Sequence, residues 1–277
     1  MTILNLGNGV EIYYKDWGNK SDPAVVFCHG WPLNSDNWEN QMFFLANNGY
    51  RVIAHDRRGH GRSSQPWHGN DMDSYADDLF ELVKKLNLTE FMMVGHSHGG
   101  GEVARFIGRH GKQVTVKKAV LVGAVPPLMV KTKDNPEGTP LSVFDGFRKS
   151  MRENRAQFFM DVPSGPFFGF NRPNATVSKG LIDSWWQMGM MSSFKSSYDD
   201  IKAFSETDFT DDLKKMDMPV LILHGDDDQI VPIEASAHKS AKIAPNATLK
   251  VYKGGAHSLP NTSANEVNQD LLKFFQK

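Results

Sequence analysis

The 277-residue sequence contains a single cysteine, has almost no net charge and lacks a long apolar run. Because Cys28 is alone, no disulfide can form within the chain, and no cysteine pair has zinc-binding spacing. The 31 Lys and Arg residues are balanced by 32 Asp and Glu residues, which gives a formal net charge of -1. No basic surplus is available to hold a phosphate backbone by releasing counterions, so we expect no nucleic-acid partner.

No apolar run approaches the roughly 18 residues that a membrane-spanning helix needs. The segment from Met1 to Asn5 also lacks the basic and then apolar pattern of a secretory signal peptide. We therefore expect no membrane association and a cytoplasmic location. The sequence allows a homo-oligomer, but no feature of it decides the oligomeric state.

Short apolar runs separated by amphipathic segments predict a parallel α/β fold. Six of the runs are typical of strands buried on both faces of a sheet: Ala24 to Cys28, Val52 to Ala54, Phe91 to Val94, Ala119 to Val122, Val220 to Leu223 and Leu249 to Tyr252. At the start of the chain, Ile3 to Leu6 and Val10 to Tyr14 flank Gly7-Asn8-Gly9, which predicts an antiparallel hairpin. We expect a mostly parallel sheet with helices on both faces.

Helical spacing of apolar residues recurs between the predicted strands. From Tyr75 to Leu86 it follows a capping-box pattern in which Ser74 precedes Asp77 by three residues. Ser263 and Glu266 repeat that pattern before the last apolar face of the chain. Two helices are therefore predicted to begin at Ser74 and at Ser263.

The region at about 125–209 breaks the alternation of strands and helices. It holds no convincing core strand, begins among several prolines and contains 10 of the 18 phenylalanines. We interpret it as a helical cap inserted over the sheet, and residues 1–277 as a single domain. Its aromatic residues are candidates for an apolar pocket, the alternative being that they only pack the insertion onto the sheet: Phe144, Phe147, Phe158, Phe159, Phe167, Phe168, Trp185 and Trp186.

The most informative motif is Gly95-His96-Ser97-His98-Gly99. It follows a predicted strand and precedes a predicted helix, which is the context of a nucleophile elbow. Glycines on both sides suit a strained turn, because side chains there would crowd the serine. Ser97 is therefore the candidate nucleophile.

A nucleophilic serine needs a base, and the base needs an orienting acid. Enzymes with a nucleophile elbow carry the serine, the acid and the histidine in that order along the chain. His257 follows the last predicted strand at its carboxyl end, whereas His238 lies in a segment typical of a surface helix. We predict that His257 is the base. The acid should follow the strand at Val220, where three consecutive aspartates at 226–228 leave the choice open.

Five segments together resemble the cofactor-free bacterial haloperoxidase and aryl-esterase branch of the α/β-hydrolases: His29 to Pro32, Asp56 to Ser63, Gly95 to Val103, His224 to Pro232 and Gly255 to His257. The resemblance implies the α/β-hydrolase fold and places the acid at the aspartate before Gln-Ile-Val-Pro, which is Asp228. It also implies an oxyanion hole made by the backbone N–H groups of Trp31 and His98. A histidine after the serine departs from the family pattern, so we expect His98 to alter the shape or polarity of the pocket.

The function implied is hydrolysis of small carboxylic esters through an acyl-enzyme, with perhydrolase or haloperoxidase chemistry as a side activity. Alternatives are a lactonase or lactamase that uses the same three residues, and a non-catalytic receptor for a small ligand on the same fold. The predicted substrate-binding residues are Trp31, Phe144, Phe147, Phe159, Ile230 and Val231. We expect a small apolar ester as substrate.

No cofactor and no metal are expected. His55, His60, His96 and His98 are close in the sequence, yet no His-Glu-x-x-His spacing accompanies them. The glycines at 99–101 do not form a nucleotide-binding motif, and no phosphate-binding Gly-x-x-x-x-Gly-Lys occurs.

Overall fold

The computed structural model describes residues 2–7 and 9–277. Over these residues the strands are β1 (Ile3–Asn5), β2 (Glu11–Trp17), β3 (Ala24–Cys28), β4 (Arg51–His55), β5 (Glu90–His96), β6 (Thr115–Val122), β7 (Val220–Gly225) and β8 (Ala247–Tyr252). They form one sheet in the order β1-β2-β4-β3-β5-β6-β7-β8. The pairs β1/β2 and β2/β4 are antiparallel, and the other neighbouring pairs are parallel.

The described helices are α1 (Glu39–Ala46), α2 (Met72–Lys85), α3 (His98–His110), α4 (Leu141–Ser164), α5 (Lys179–Met190), α6 (Phe194–Glu206), α7 (Thr210–Lys214), α8 (Ala237–Ile243), α9 (Leu259–Thr262) and α10 (Ala264–Gln276). Within the described part of the chain, none of them is long and apolar enough to cross a membrane.

Each of the six predicted runs lies inside one of β3 to β8, so the strands themselves are confirmed. The predicted burial is wrong for the last run, because β8 is an edge strand and most of its residues are partly or fully exposed. The N-terminal hairpin is confirmed by the antiparallel pairing of β1 with β2, although Asn8 of the predicted turn lies outside the described residues. Alternate strand residues point to opposite faces. Val25 packs in a cluster with Leu271 of α10, and Val26 packs in a second cluster with Tyr75 of α2. Helices therefore cover both faces, as predicted.

The predicted start of α2 is wrong by a few residues. The helix begins at Met72, and its N-cap is Asp71, whose carboxylate accepts a hydrogen bond from the backbone N–H of Ser74 at 2.9 Å. Aspartate is as favourable an N-cap residue as serine. Because Asp71 caps the helix, Ser74 lies in its first turn. Ser263 does occupy the N-cap of α10, but its side chain makes no capping hydrogen bond.

Helices α4, α5 and α6, which we call the cap helices, lie between β6 and β7. Helix α4 bends at Asn154, which has non-helical backbone angles and whose side chain accepts from the N–H of Gln157 at 3.0 Å. The ring N–H of Trp31 donates to the carbonyl of Ser197 in α6 at 2.9 Å. This hydrogen bond connects α6 to the segment that follows β3. The cap helices thus lie against the turn that follows β3. That residues 125–209 form a cap within a single domain remains our proposal.

A buried ion pair joins α3 to the segment that follows β4. The carboxylate of Glu102 is fully buried, accepts from the guanidinium Nε of Arg57 at 3.0 Å and lies 2.9 Å from Nε2 of His55. Burial raises the pKa of Glu102, but the charges of Arg57 and His55 and their hydrogen bonds outweigh it and lower the pKa to about 2. Glu102 therefore stays ionised inside the core.

We expect Glu102→Gln to lower the free energy of unfolding at pH 7 by about 3 to 5 kcal/mol, because it removes the carboxylate that is hydrogen-bonded to the buried Arg57 charge. The folded-state pKa of about 2 lies below the ordinary 4.5. The stabilisation is therefore complete above about pH 4.5 and is lost as the pH falls towards 2. Urea unfolding at several pH values measures both effects.

Glu81→Gln is the matched control, because Glu81 pairs with Lys84 on the exposed side of α2. We expect it to change the free energy of unfolding by less than about 0.5 kcal/mol. A Glu102→Gln variant as stable as the Glu81→Gln variant would contradict the assignment of Glu102 as a buried counter-ion.

Candidate active site

Ser97 occupies a sharp turn between β5 and α3. Its backbone angles are φ 55° and ψ -122°, in a region that side-chain-bearing residues rarely adopt. A Cβ on Gly95 would lie 2.3 Å from the Gly99 carbonyl oxygen, and one on Gly99 would lie 2.2 Å from the Cys28 carbonyl oxygen. Both glycines of the motif are therefore sterically required. Such strain is found where the surrounding structure holds a functional residue in place.

His257 lies in the segment between β8 and α9. Its Nδ1 is 2.7 Å from Oδ2 of Asp228, and both side chains are buried. Its Nε2 is buried and has no hydrogen-bond partner among the described residues. Ser97 and His257 line the same cavity. The geometry thus places this ring nitrogen, unpaired within the described part of the chain, on a residue that shares the cavity with Ser97.

The structure distinguishes the three consecutive aspartates. Oδ1 of Asp228 accepts the backbone N–H groups of Ile230 and Val231 at 2.9 and 2.8 Å, while its Oδ2 faces His257. Asp226 instead accepts from the Gly254 N–H, and Asp227 is half exposed. Asp228 alone of the three therefore reaches His257 among the described contacts.

The carboxylate of Asp228 is held in its charged form. Burial raises the pKa of Asp228. The charge of His257, the hydrogen bond to that ring and the neighbouring His224 lower it by more, so the net pKa lies below the ordinary value. Nε2 of His224 donates to the Val231 carbonyl at 2.9 Å and lies 3.4 Å from Oδ2 of Asp228. No role is predicted for His224. The sequence places it at the end of β7 but does not show that the loop containing Asp228 and Val231 folds back over it.

The two residues proposed for the oxyanion hole belong to two segments that lie close to Ser97. His98 is the first residue of α3, where backbone N–H groups have no acceptor within the helix. Trp31 follows the end of β3, and the turn there approaches the elbow closely, since a Cβ on Gly30 would lie 3.3 Å from Cβ of Ser97. Trp31 also lines the cavity. The elements thus bring both backbone segments close to Ser97.

The side chain of His98 does not line the cavity. Its ring is fully buried, meets the Tyr75 ring edge-on at 5.5 Å and has no hydrogen-bond partner among the described residues at either nitrogen. Burial and the charge of Arg57 hold its pKa well below the ordinary value. The expectation that His98 changes the pocket is therefore not supported by the position of its ring, because helix α3 turns that ring away from the cavity.

The cavity is narrow and apolar. The space that the centre of a water molecule can occupy in it amounts to about 40 Å³. Besides Ser97 and His257, its walls are Trp31, Val125, Met129, Phe147, Phe158, Val162, Phe167, Trp185, Phe204, Ile230 and Val231. Four of the predicted substrate-binding residues are among them: Trp31, Phe147, Ile230 and Val231.

Phe144 and Phe159, also predicted to bind substrate, lie behind this wall. Phe159 packs edge-on against Trp31 at 5.6 Å and against Trp185 at 5.7 Å. Phe144 packs against Phe204 at 6.1 Å. Helix packing decides which aromatic residues of a cap face inward, and the sequence carries no signal for that choice. Phe204, which does line the cavity, is not predictable for the same reason.

Several clustered histidines bind carboxylates or main-chain groups. Nε2 of His55 lies beside Glu102, and Nε2 of His60 lies 3.1 Å from Asp200. Possible ligand atoms of Cys28, His55 and Glu102 lie within 4.8 Å of one another. The guanidinium of Arg57 already occupies that carboxylate, and its positive charge would repel a cation. These residues do not fit a metal.

Comparison with known proteins relates the whole chain to one family. Residues 23–261 match the model of the alpha/beta hydrolase fold family. A non-heme chloroperoxidase of Burkholderia pyrrocinia is 57% identical over 277 residues, covering 100% of both chains. A bifunctional esterase/perhydrolase of Acinetobacter calcoaceticus is 54% identical over 276 residues, again covering 100% of both.

Solved structures agree with these sequence matches. The crystal structure of a bromoperoxidase from Bacillus anthracis is 40% identical, with a TM-score of 0.94, and the match covers 100% of this chain and 99% of that one. The strand order, the turn at Ser97 and these matches give one conclusion. The chain belongs to the α/β-hydrolase fold family, with non-heme haloperoxidases among its relatives.

Proposed function

We propose that the protein is a serine hydrolase that cleaves small carboxylic esters through an acyl-enzyme. The observation that carries the proposal is that a strained serine and a histidine bonded to a buried aspartate share one apolar cavity. Relatives along the full length that are named esterase/perhydrolase and non-heme chloroperoxidase support it. Ser97 is the proposed nucleophile, His257 the base and Asp228 the acid.

In the proposed acylation step, Oγ of Ser97 attacks the ester carbonyl carbon, and Nε2 of His257 takes the serine proton. Asp228 accepts the Nδ1–H of His257, which keeps the lone pair on Nε2. The N–H groups of Trp31 and His98 donate to the oxyanion. His257 then gives its proton to the leaving alcohol, which leaves the acyl group on Ser97.

In the second step His257 takes a proton from a water molecule, whose oxygen attacks the acyl carbon. The bond between the acyl carbon and Oγ of Ser97 then breaks, His257 returns the proton to Oγ, and the acid is released. If hydrogen peroxide replaces water, the same displacement releases a peracid. A peracid can oxidise halide in solution away from the protein. This route gives haloperoxidase chemistry with protein groups alone and agrees with the names of the relatives.

The cavity favours a short, uncharged acyl group. Its lining residues other than Ser97 and His257 are apolar or aromatic, and the ring N–H of Trp31 is already bonded to the Ser197 carbonyl. No lining residue carries a formal charge that would pair with a charged acyl chain. Burying an unpaired charge there would be costly. We therefore propose small aliphatic or aryl esters as substrates.

A panel of p-nitrophenyl esters of increasing acyl length, lactones, lactams and peracetic-acid formation tests the proposal. We expect kcat/KM to be highest for the shortest acyl groups and to fall as the chain exceeds the narrow cavity. If a lactone or lactam is turned over faster than the p-nitrophenyl esters, the protein is a lactonase or lactamase rather than an esterase. Failure to turn over any substrate, together with no labelling by an organophosphate, would indicate a ligand receptor instead.

Ester hydrolysis should persist after exhaustive dialysis against a chelator. Attack, proton transfer and oxyanion stabilisation are all assigned to protein groups, so removing metal ions should change kcat by less than about twofold. The measurement is the initial rate before and after dialysis. A large loss that added zinc or iron restores would contradict the proposed mechanism.

A further inference from the structure

We propose that His96 is a positioning residue for His257, through a hydrogen bond to its backbone and contact with its ring. His96 is the last residue of β5 and directly precedes Ser97. Its Nε2 lies 3.1 Å from the carbonyl oxygen of His257. The strand that ends at the proposed nucleophile thus also holds the backbone of the proposed base, 161 residues further along the chain. This inference rests on the proposed function.

The hydrogen bond fixes the tautomer of His96. A carbonyl oxygen can only accept, so Nε2 of His96 must carry the proton and donate it. Its Nδ1 has no partner among the described residues and lies next to Gly30, where a Cβ would be only 2.9 Å away. The absent side chain at Gly30 leaves room for the ring. The imidazole therefore fits its site as a neutral donor at Nε2.

His96 also stays neutral beside the proposed base. Burial is the main cause that lowers its pKa, to about 3, and the neighbouring charge of His257 lowers it further. The rings of His96 and His257 lie 4.9 Å apart, and Phe167 meets both edge-on, at 6.0 and 5.1 Å. A neutral His96 leaves His257 as the ring of this pair that exchanges protons during the reaction.

One hydrogen bond to Asp228 does not by itself fix the catalytic atom of His257. The imidazole can pivot about the line between its Nδ1 and Oδ2 of Asp228, and such a pivot moves Nε2 relative to Ser97. The bond from His96 to the His257 carbonyl holds the backbone at a second point. A Cβ on Gly123 would lie 3.1 Å from that same oxygen, which shows how closely the carbonyl is packed. Attachment at two points restricts the pivot.

The expected consequence is a loss in turnover with little change in substrate affinity, because His96 does not line the cavity. Misplacement of a catalytic group by about 1 Å is enough to lower rates by up to about 10²-fold. We expect His96→Phe, which keeps a planar ring but has no donor, to lower kcat for p-nitrophenyl acetate roughly tenfold. KM should stay within about twofold of the wild-type value.

His96→Gln is the conservative variant, because its side-chain amide can still donate to the His257 carbonyl. We expect it to recover most of the kcat lost in His96→Phe. His110→Phe is a control for loss of a histidine on a neighbouring element, since His110 stacks on Phe80 at the other end of α3. We expect His110→Phe to keep the wild-type kcat. Thermal unfolding of all variants separates misfolding from misplacement.

A proton NMR spectrum supplies a readout that needs no turnover. The Nδ1–H of His257 bonded to Asp228 should give a low-field resonance in the wild type, and His96→Phe should shift or broaden it while His96→Gln keeps it. Unchanged kcat and an unchanged resonance in His96→Phe would overturn the inference, as would equal losses in the two variants. If the wild type hydrolyses no ester, the proposed function fails, and the resonance still tests the positioning of His257.

Discussion

Replacing Ser97 by alanine should lower the rate of ester hydrolysis by about 10³-fold or more, because it removes the nucleophile and with it the acyl-enzyme route. The fold should survive, since alanine at φ 55° is no more strained than serine. His257→Ala should cause a loss of the same order, because the two groups act as a unit. Initial rates with p-nitrophenyl acetate and thermal unfolding measure the two effects.

Ser240→Ala is the matched control for loss of a buried serine. Its hydroxyl donates to the Pro126 carbonyl from helix α8, and it does not line the cavity. We expect this variant to keep nearly all of the activity. Retention of more than a tenth of the wild-type rate by Ser97→Ala would disprove the assignment of Ser97 as the nucleophile.

Asp228→Asn should lower kcat by as much as about 10⁴-fold, the loss expected when the base holds its proton on the wrong nitrogen. The two backbone N–H groups at Oδ1 would select the amide oxygen of asparagine at that position. The amide nitrogen would then face Nδ1 of His257 and donate to it. That forces the proton onto Nε2, which can no longer accept the proton of Ser97.

Asp227→Asn is the control at the next position. Asp227 is half exposed and pairs with Arg172 outside the cavity, so we expect its loss to change kcat by less than about twofold. Steady-state kinetics of both variants with one ester makes the comparison. If Asp227→Asn were the inactive variant and Asp228→Asn the active one, the acid would be misassigned.

Much of the fold can be predicted from the sequence, because parallel strands buried on both faces leave continuous apolar runs such as Ala24 to Cys28. The sharp turn that holds Ser97 is equally predictable, since only glycine fits at Gly95 and Gly99. His257 can be proposed from chain order together with its place after the last strand, because His238 lies in a segment typical of a surface helix. These features are local, or follow from the order of the elements.

Other features depend on contacts between distant segments. Residue chemistry and chain order leave the three aspartates equivalent, and only the family resemblance selects Asp228. The fold of the loop after β7 is what brings Asp228 to His257. The bond from His96 to the His257 carbonyl joins residues 161 positions apart and has no sequence signal. Phe159, which is predicted to bind substrate, lies behind the cavity wall, while Phe204, for which nothing is predicted, lines the cavity. The packing of α4 and α6 decides which ring reaches the cavity.

The most direct test of the proposed function is to trap the acyl-enzyme. The protein is quenched during turnover of p-nitrophenyl acetate, digested with a protease and analysed by mass spectrometry. We predict one acetyl group on the peptide that contains Ser97 in the wild type, and no acetyl group there in Ser97→Ala. Steady ester hydrolysis with the acetyl group on another residue, or an unchanged rate in Ser97→Ala, would contradict the proposal.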